Sequence, residues 1–315
     1  KHLVFVIIGL GLIIIFSYIN QEILYKISIY IFFVSLILLF LVPIIGVEVK
    51  GSKRWLDIFF LPRLQHIELV KPFFIIVLST LITFDKLKNF TLKFILTLFL
   101  TLLIAFFLII QPDLGQTLLV GFTWMILIFI SGVNLVFLLT ISVLGLSLLL
   151  YFTFYVPKFE YIKNRILSFF NSESGTHNFQ SDKATDSIIS GGFFGKGIGE
   201  GTLKNRVPEA HTDYIVSVIS EEFGVIVIIL ILILFLTFIF SIFKKVNVEK
   251  DHKTKLILVG SASLILFQAM IHIGVNIRLF PTTGMTLPFL SYGGSSIISI
   301  SILSGIILNL TKRKI

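Results

Sequence analysis

Cysteine is absent from the 315 residues, which removes disulfide frameworks and thiolate metal sites without identifying the redox compartment. The six histidines fall into no HExxH or comparable ligand spacing, and no P-loop or GxGxxG unit is present. Without a nucleotide-binding unit, the energy for any reaction has to come from the substrate itself. Charge is also scarce, at 14% of residues, whereas hydrophobic residues make up 56% and mean hydropathy is +1.01. Soluble domains do not carry such a balance, so the chain reads as an all-α, polytopic membrane helical bundle.

Nine apolar runs are each about long enough to cross a ~30 Å hydrocarbon core as a helix. They are Leu3 to Ile19, Ile23 to Ile45, Ile67 to Phe84, Phe90 to Ile110, Leu114 to Ile130, Leu135 to Tyr155, Tyr214 to Phe243, Leu256 to Ile277 and Leu290 to Leu310. The first is not read as a signal peptide, because no small-residue cleavage site follows it. The net charge of +9 raises nucleic acid as a partner, but its distribution excludes that reading. Lys86, Lys88 and Lys93 fall in one connector, Lys244, Lys245, Lys250, Lys253 and Lys255 in another, and Lys312, Arg313 and Lys314 in the tail. With alternating spans these clusters share the cytoplasmic face. The long segment 156–213 then lies outside, together with the Gly51 to Gln65 and Arg278 to Phe289 connectors. The expectation is one polytopic domain, 1–315, with a single long external loop.

That loop is too long to be a mere connection. Phe159, Ile162, Ile166 and Phe169 recur at helical spacing, which predicts an interfacial amphipathic helix. Gly191-Gly-Phe-Phe-Gly-Lys-Gly-Ile-Gly199 follows. Such backbone approaches a phosphate closely, with Lys196 adding charge, or serves simply as a hinge. The loop ends in Val207-Pro-Glu-Ala-His-Thr-Asp213, which sets Glu209, His211 and Asp213 where water gives way to hydrocarbon. Thr212 or Asp213 could equally be a helix cap.

Polar residues inside apolar runs are the remaining signal. In the first outer connector Lys53, Arg54 and Trp55 meet at the membrane surface, by default as headgroup contacts and an interfacial anchor. Glu68 and Lys71 stand three apart on one helix face, with Pro72 freeing the carbonyl of Glu68. The pair is either a cavity lining or a structural ion pair. Gln111-Pro-Asp-Leu-Gly115 reads as a turn whose Asp113 caps the next helix. Gln268, His272 and Asn276, spaced by four, form a polar stripe leading to Arg278. The stretches 280–288 and 291–296 read as irregular backbone that must border protein or water.

Taken in order, GSKRWLD, the helix with Gln65, Glu68 and Lys71, QPDLG, GGFFGKGIGEG, VPEAHTD and PTTGMTLPFLSYGGSS resemble the SEDS glycosyltransferase family over the whole chain, and its cell-division branch more than its elongation branch. The family is expected to have ten spans against the nine visible here. The chain begins with Lys1 rather than Met, and a helix before it would restore an inward start. The usual Gln-Pro-Ser-Glu is Gln65-His66-Ile67-Glu68 in this chain, which spares the carboxylate.

The resemblance implies polymerisation of lipid II into glycan strands on the outer face of the bacterial cytoplasmic membrane, for septal wall synthesis. It also implies partnership with a class B penicillin-binding protein and the division or elongation machinery. Transfer from an α-linked diphosphate to a β-linked product inverts the anomeric carbon and calls for one base. By motif position that base is Asp213, and an aspartate at its ordinary pKa of ~3.9 is ionised at neutral pH. Lys53, Arg54, Lys71, Lys196 and Arg206 are candidates to hold diphosphates, with Trp55, Gln65, Glu68, Glu209 and His211 completing the substrate-binding set. The resemblance names no certain cofactor, and the metal ligands are unknown; a divalent cation, magnesium or manganese, could assist. The competing readings are a lipid II flippase or other transporter, an elongation polymerase, and a scaffold that only recruits division proteins.

Overall fold

The computed structural model describes residues 2–49, 52–57, 63–170, 179–202 and 207–312. Its first half contains α1 (His2–Tyr18), α2 (Gln21–Ile45), α3 (His66–Ile82), α4 (Phe90–Ile110), α5 (Leu114–Ile130) and α6 (Leu135–Tyr155). Then come α7 (Glu160–Phe170), α8 (Phe179–Gly191), α9 (Ile215–Phe223), α10 (Val225–Val248), α11 (His252–Asn276) and α12 (Gly294–Thr311). Among these, α2, α4, α6, α10, α11 and α12 are long and apolar enough to cross a membrane, while α1 and α5 are shorter apolar helices. The chain is therefore an all-α, multi-pass membrane protein.

Two features differ from the sequence expectation. The connector between α2 and α3 is an antiparallel sheet of β1 (Val47–Val49), β2 (Ser52–Leu56) and β3 (Leu64–Gln65), in that spatial order. The single span expected over Tyr214 to Phe243 is instead two helices, broken at Gly224. That residue has φ +82°, and a Cβ there would fall on the carbonyl of Phe193. Only glycine tolerates both conditions. The amphipathic helix expected after residue 159 is present as α7, with Ile162 buried.

The described residues form two compact units, with the division falling within α10 and α11. The first comprises residues 1–134, 239–267 and 293–315. At its heart lies α3, with 14 of 17 residues buried, because it is apolar on all sides and so is a core helix. Close packing of α1 on α12 relies on small residues: a Cβ at Gly9 would meet Ser301, and one at Gly305 would meet Phe16. The far end of α12 closes α1 as well. Asn309 Nδ2 donates to the carbonyls of Phe16 (2.9 Å) and Ile19 (2.6 Å), and Lys312 Nζ donates to that of Ser17 (2.7 Å). Carbonyls that the helix end leaves unpaired are thereby satisfied.

The second unit comprises 135–238 and 268–292. Its α6 buries only Leu138 and Thr153, and its hydroxyls on Thr140, Ser142, Ser147 and Thr153 all donate to carbonyls four residues back. A helix with its polar groups satisfied internally suits lipid contact. The unit's core gathers Ala184 of α8, Val207, Ala210 and Tyr214 of the acidic turn, Val218 of α9 and Val275 of α11. Apolar packing thus seats the acidic turn.

Candidate functional site

In the first unit, strand alternation decides the fate of the basic pair. Along β2, Arg54 and Leu56 point inward while Lys53 is exposed and Trp55 half-buried. The Arg54 guanidinium donates to the carbonyls of Gln111 (Nε, 3.2 Å) and Pro112, and Nη1 lies 3.7 Å from Asp113 Oδ2. Asp113 also accepts from Gln65 Nε2 (3.0 Å), and it caps α5 through the Gln116 N–H (3.4 Å). The cap expected from QPDLG is there, with a charge partner the sequence reading did not foresee.

Gln116 carries the network onward, its Nε2 donating to Glu68 Oε1 (2.9 Å). The same oxygen accepts from Lys71 Nζ (2.8 Å), and both of those residues are buried. The whole chain of contacts holds two cations and two carboxylates, so it is neutral, as burial demands. Glu68 Oε2 and Gln116 Oε1 have no donor among the described residues, leaving acceptor capacity at the inner end of the network.

In the second unit, the acidic motif is a tight turn wound around one carbonyl. The N–H groups of Thr212, Asp213 and Tyr214 all point to Glu209 O at 3.1, 3.1 and 3.3 Å. Glu209 itself adopts φ +56°, a conformation costly for a residue with a side chain. Three successive carbonyls are then held from outside the turn. His211 O accepts from Tyr292 N (2.8 Å), Thr212 O from Ser291 Oγ (2.7 Å) and Asp213 O from Asn276 Nδ2 (3.0 Å). This leaves Asp213 half-buried, with Glu209 and His211 exposed. The backbone that presents Asp213 has little freedom to move.

The polar stripe on α11 is accounted for by the same assembly. Gln268 Nε2 donates to Thr286 O (3.0 Å), His272 Nδ1 meets Met285 O (2.7 Å), and Asn276 bridges Asp213 O and the Ser217 N–H (3.3 Å). Ser291 Oγ also accepts from Leu287 N (2.8 Å). This irregular backbone is thus satisfied by three side chains of α11, with Ser291 as a fourth.

The glycine-rich run is packed rather than loose. Lys196 and Gly197 donate their N–H groups to the carbonyls of Glu221 (2.9 Å) and Glu222 (3.0 Å), and Gly199 N–H meets Glu222 Oε1 (3.2 Å). A Cβ at Gly191 or Gly195 would strike the backbone of α9. Lys196 remains exposed, with Nζ 3.9 Å from the fully buried Glu221. Arg206 lies outside the described residues. Glu221 escaped the sequence reading, although a carboxylate inside an apolar run was its available signal. Gln116 and Ser291 carried no such signal, because their partners are remote in sequence. Among the described residues no three His, Asp or Glu side chains converge on a point, and no step below uses a metal.

The chain matches the FtsW/RodA/SpoVE family model, described as "Cell cycle protein", over residues 1–314. The probable peptidoglycan glycosyltransferase FtsW of Caulobacter vibrioides is 33% identical over 276 residues, covering 86% of this chain and 68% of the relative. Its counterpart in Trichlorobacter lovleyi is 32% identical over 320 residues, covering 99% and 82%. Among solved structures, a chain from a peptidoglycan synthase complex described as coordinating polymerization and crosslinking superposes with a TM-score of 0.82. It is 27% identical, with 98% of this chain and 88% of that one covered. The rod shape determining protein RodA of Thermus thermophilus gives 0.72 at 26% identity, covering 98% and 86%. Motifs, helical architecture and these matches agree: the chain belongs to the FtsW/RodA/SpoVE family, the family its motifs resemble.

Proposed function

We propose that this chain is an inverting peptidoglycan glycosyltransferase that polymerises lipid II into glycan strands for septal wall synthesis. The observation that carries the reading is the clamped turn: three consecutive carbonyls, 211–213, are each held by a partner from 276–292, fixing the aspartate that the chemistry needs. In the reaction the acceptor sugar hydroxyl gives its proton to the Asp213 carboxylate as its oxygen attacks the donor's anomeric carbon. The bond from that carbon to the diphosphate breaks, and undecaprenyl diphosphate leaves with the bonding electrons. A diphosphate leaving group needs no general acid, only positive charge.

Lys53 of the first unit and Lys196 of the second, both exposed, are each a proposed diphosphate contact, as is Arg206. Arg54, Gln65, Glu68 and Lys71 act through their buried network, which stiffens the sheet and α3. Glu209 and His211 flank the base, and Trp55 anchors the sheet at the interface. In this reading the chain works as one polytopic domain of the bacterial cytoplasmic membrane, with segment 156–213 outside, and a class B penicillin-binding protein supplies crosslinking.

Asp213→Asn tests the assignment, since the amide keeps the shape and loses the base. Purified protein with lipid II should lose ~10²–10⁴-fold in polymerisation rate while its unfolding temperature holds; activity within twofold of wild type would sink it. One observation favours transport as a second activity: a helix broken at Gly224 in a protein with a buried ion pair. Reconstituted vesicles separate the two, because a flippase moves labelled lipid II between leaflets even when Asp213→Asn has stopped polymerisation.

A further inference from the structure

We infer that the run 189–198 dips into the lipid leaflet at the N-terminal end of α10 and holds the acidic turn at a fixed height over it. Among the described residues of segment 156–213, six large apolar side chains are exposed. Four of them, Ile189, Phe193, Phe194 and Ile198, fall within these ten residues, at 73%, 72%, 84% and 79%. Apolar surface left in water is costly, and a concentration of it marks an interaction site. A loose loop does not explain it. Gly195 N–H bonds to Gly191 O (2.9 Å), and the N–H groups of Lys196 and Gly197 bond to the last turn of α9. The backbone is held inward while the largest side chains are turned out.

The start of α10 identifies what covers them. Val225 N–H donates to Gly192 O (3.0 Å) and Ile226 N–H to Phe193 O (3.4 Å), so the run supplies acceptors to the first turn of that helix. From Val225 to Phe243 the chain has 19 uncharged residues before Lys244, about 28 Å of helix against a hydrocarbon core of ~30 Å. Placing Lys244 at one boundary of the core puts Val225 at the other, and Phe193 with it. Ile226, Ile229 and Leu230 are exposed as well, so the apolar surface continues from the run down the helix. Lys196 fits the same placement, because its long stem lets the ammonium stay among lipid headgroups. Lipid, rather than a protein partner, is therefore the occupant. Helix α9 carries the consequence: Ile215, its first residue, follows Asp213 by two, and its last turn holds Lys196 and Gly197. A run fixed in the leaflet fixes the far end of the helix that bears the acidic turn. Only the effect of that height on catalysis rests on the polymerase reading.

Because the chain has no cysteine, single nitroxide labels can be placed on the full chain in phospholipid nanodiscs. Their collisions are then compared with oxygen, which concentrates in lipid, and with a water-soluble nickel chelate. Labels on Phe194→Cys and Ile198→Cys should favour oxygen, as should one on Ile226→Cys at the start of α10, whereas Thr202→Cys should favour the chelate. Preference for the chelate at 194 and 198 would put the run in water and overturn the inference. Protection from both reagents would mean that protein covers it, which overturns the inference equally. The height is tested with the Phe193→Ser, Phe194→Ser double variant, whose unfolding temperature should hold because both side chains are exposed. It should polymerise bilayer-embedded lipid II roughly tenfold or more slowly than wild type, yet stay within about twofold on a water-soluble, short-chain analogue. Equal rates relative to wild type on the two substrates, whether lowered or unchanged, would refute the height-setting role. If the labels report lipid but wild type polymerises neither substrate, the insertion stands and the polymerase reading falls.

Discussion

Lys71 is fully buried in the most enclosed helix of the first unit, where its charge is balanced by the ion pair with Glu68. Removing either partner strands the other and should cost about 3–5 kcal/mol, whereas removing both restores neutrality. The pair Glu68→Gln and Lys71→Met should therefore be strongly non-additive in a thermal double-mutant cycle. Simple addition of the two single losses would mean that the 2.8 Å contact contributes nothing. Ser291 poses a different test, because its hydroxyl supports the Thr212 carbonyl and not a charge. Ser291→Ala leaves the turn formed but loosens the backbone next to Asp213. Small errors in positioning a base cost more in turnover than in binding. Polymerisation should fall roughly tenfold or more in kcat with KM within about twofold; a change confined to KM would assign Ser291 to substrate contact.

Elements were legible where apolar period and length act alone, and less so where remote partners decide. α4, α5 and α6 coincide with their expected runs, and α7 follows from the spacing of Ile162 and Ile166. The short sheet was missed, because β1 to β3 span only a few residues each and show alternation too brief to read. Asp213 could be named from its motif, yet the clamp around it could not, since Asn276, Ser291 and Tyr292 lie more than sixty positions away. The break between α9 and α10 was missed for the same reason. Gly224 looks like any glycine in an apolar run, until the carbonyl of Phe193 is brought against it. Gly224→Ala should consequently destabilise by about 1–3 kcal/mol and expose the 191–199 run to proteolysis. Gly121→Ala in α5, with nothing within 4 Å of the added Cβ, should stay within about 1 kcal/mol of wild type. Equal effects at the two sites would show that the close approach at Gly224 is not what breaks the helix.

For the molecule as a whole, the sidedness of the acidic turn decides whether the enzyme reading can hold, because glycan strands are extended outside the membrane. We expect the 156–213 segment to be extracytoplasmic, since the lysine-rich connector after α10 should be retained on the cytoplasmic side. Helix α10, 24 residues long with a mean hydropathy of 3.4 over its best window, is expected to cross between the two. The absence of cysteine makes this directly testable with single introduced thiols. Thr202 and Lys250 are both exposed, one before α9 and one in the turn after α10. Thr202→Cys should react with a membrane-impermeant thiol reagent on intact spheroplasts, and Lys250→Cys only after the membrane is broken. The reverse pattern would put the Asp213 turn inside the cell, away from any growing glycan. Reaction of both on intact spheroplasts would mean that α10 does not cross, and would remove the charge argument for orientation along with the span.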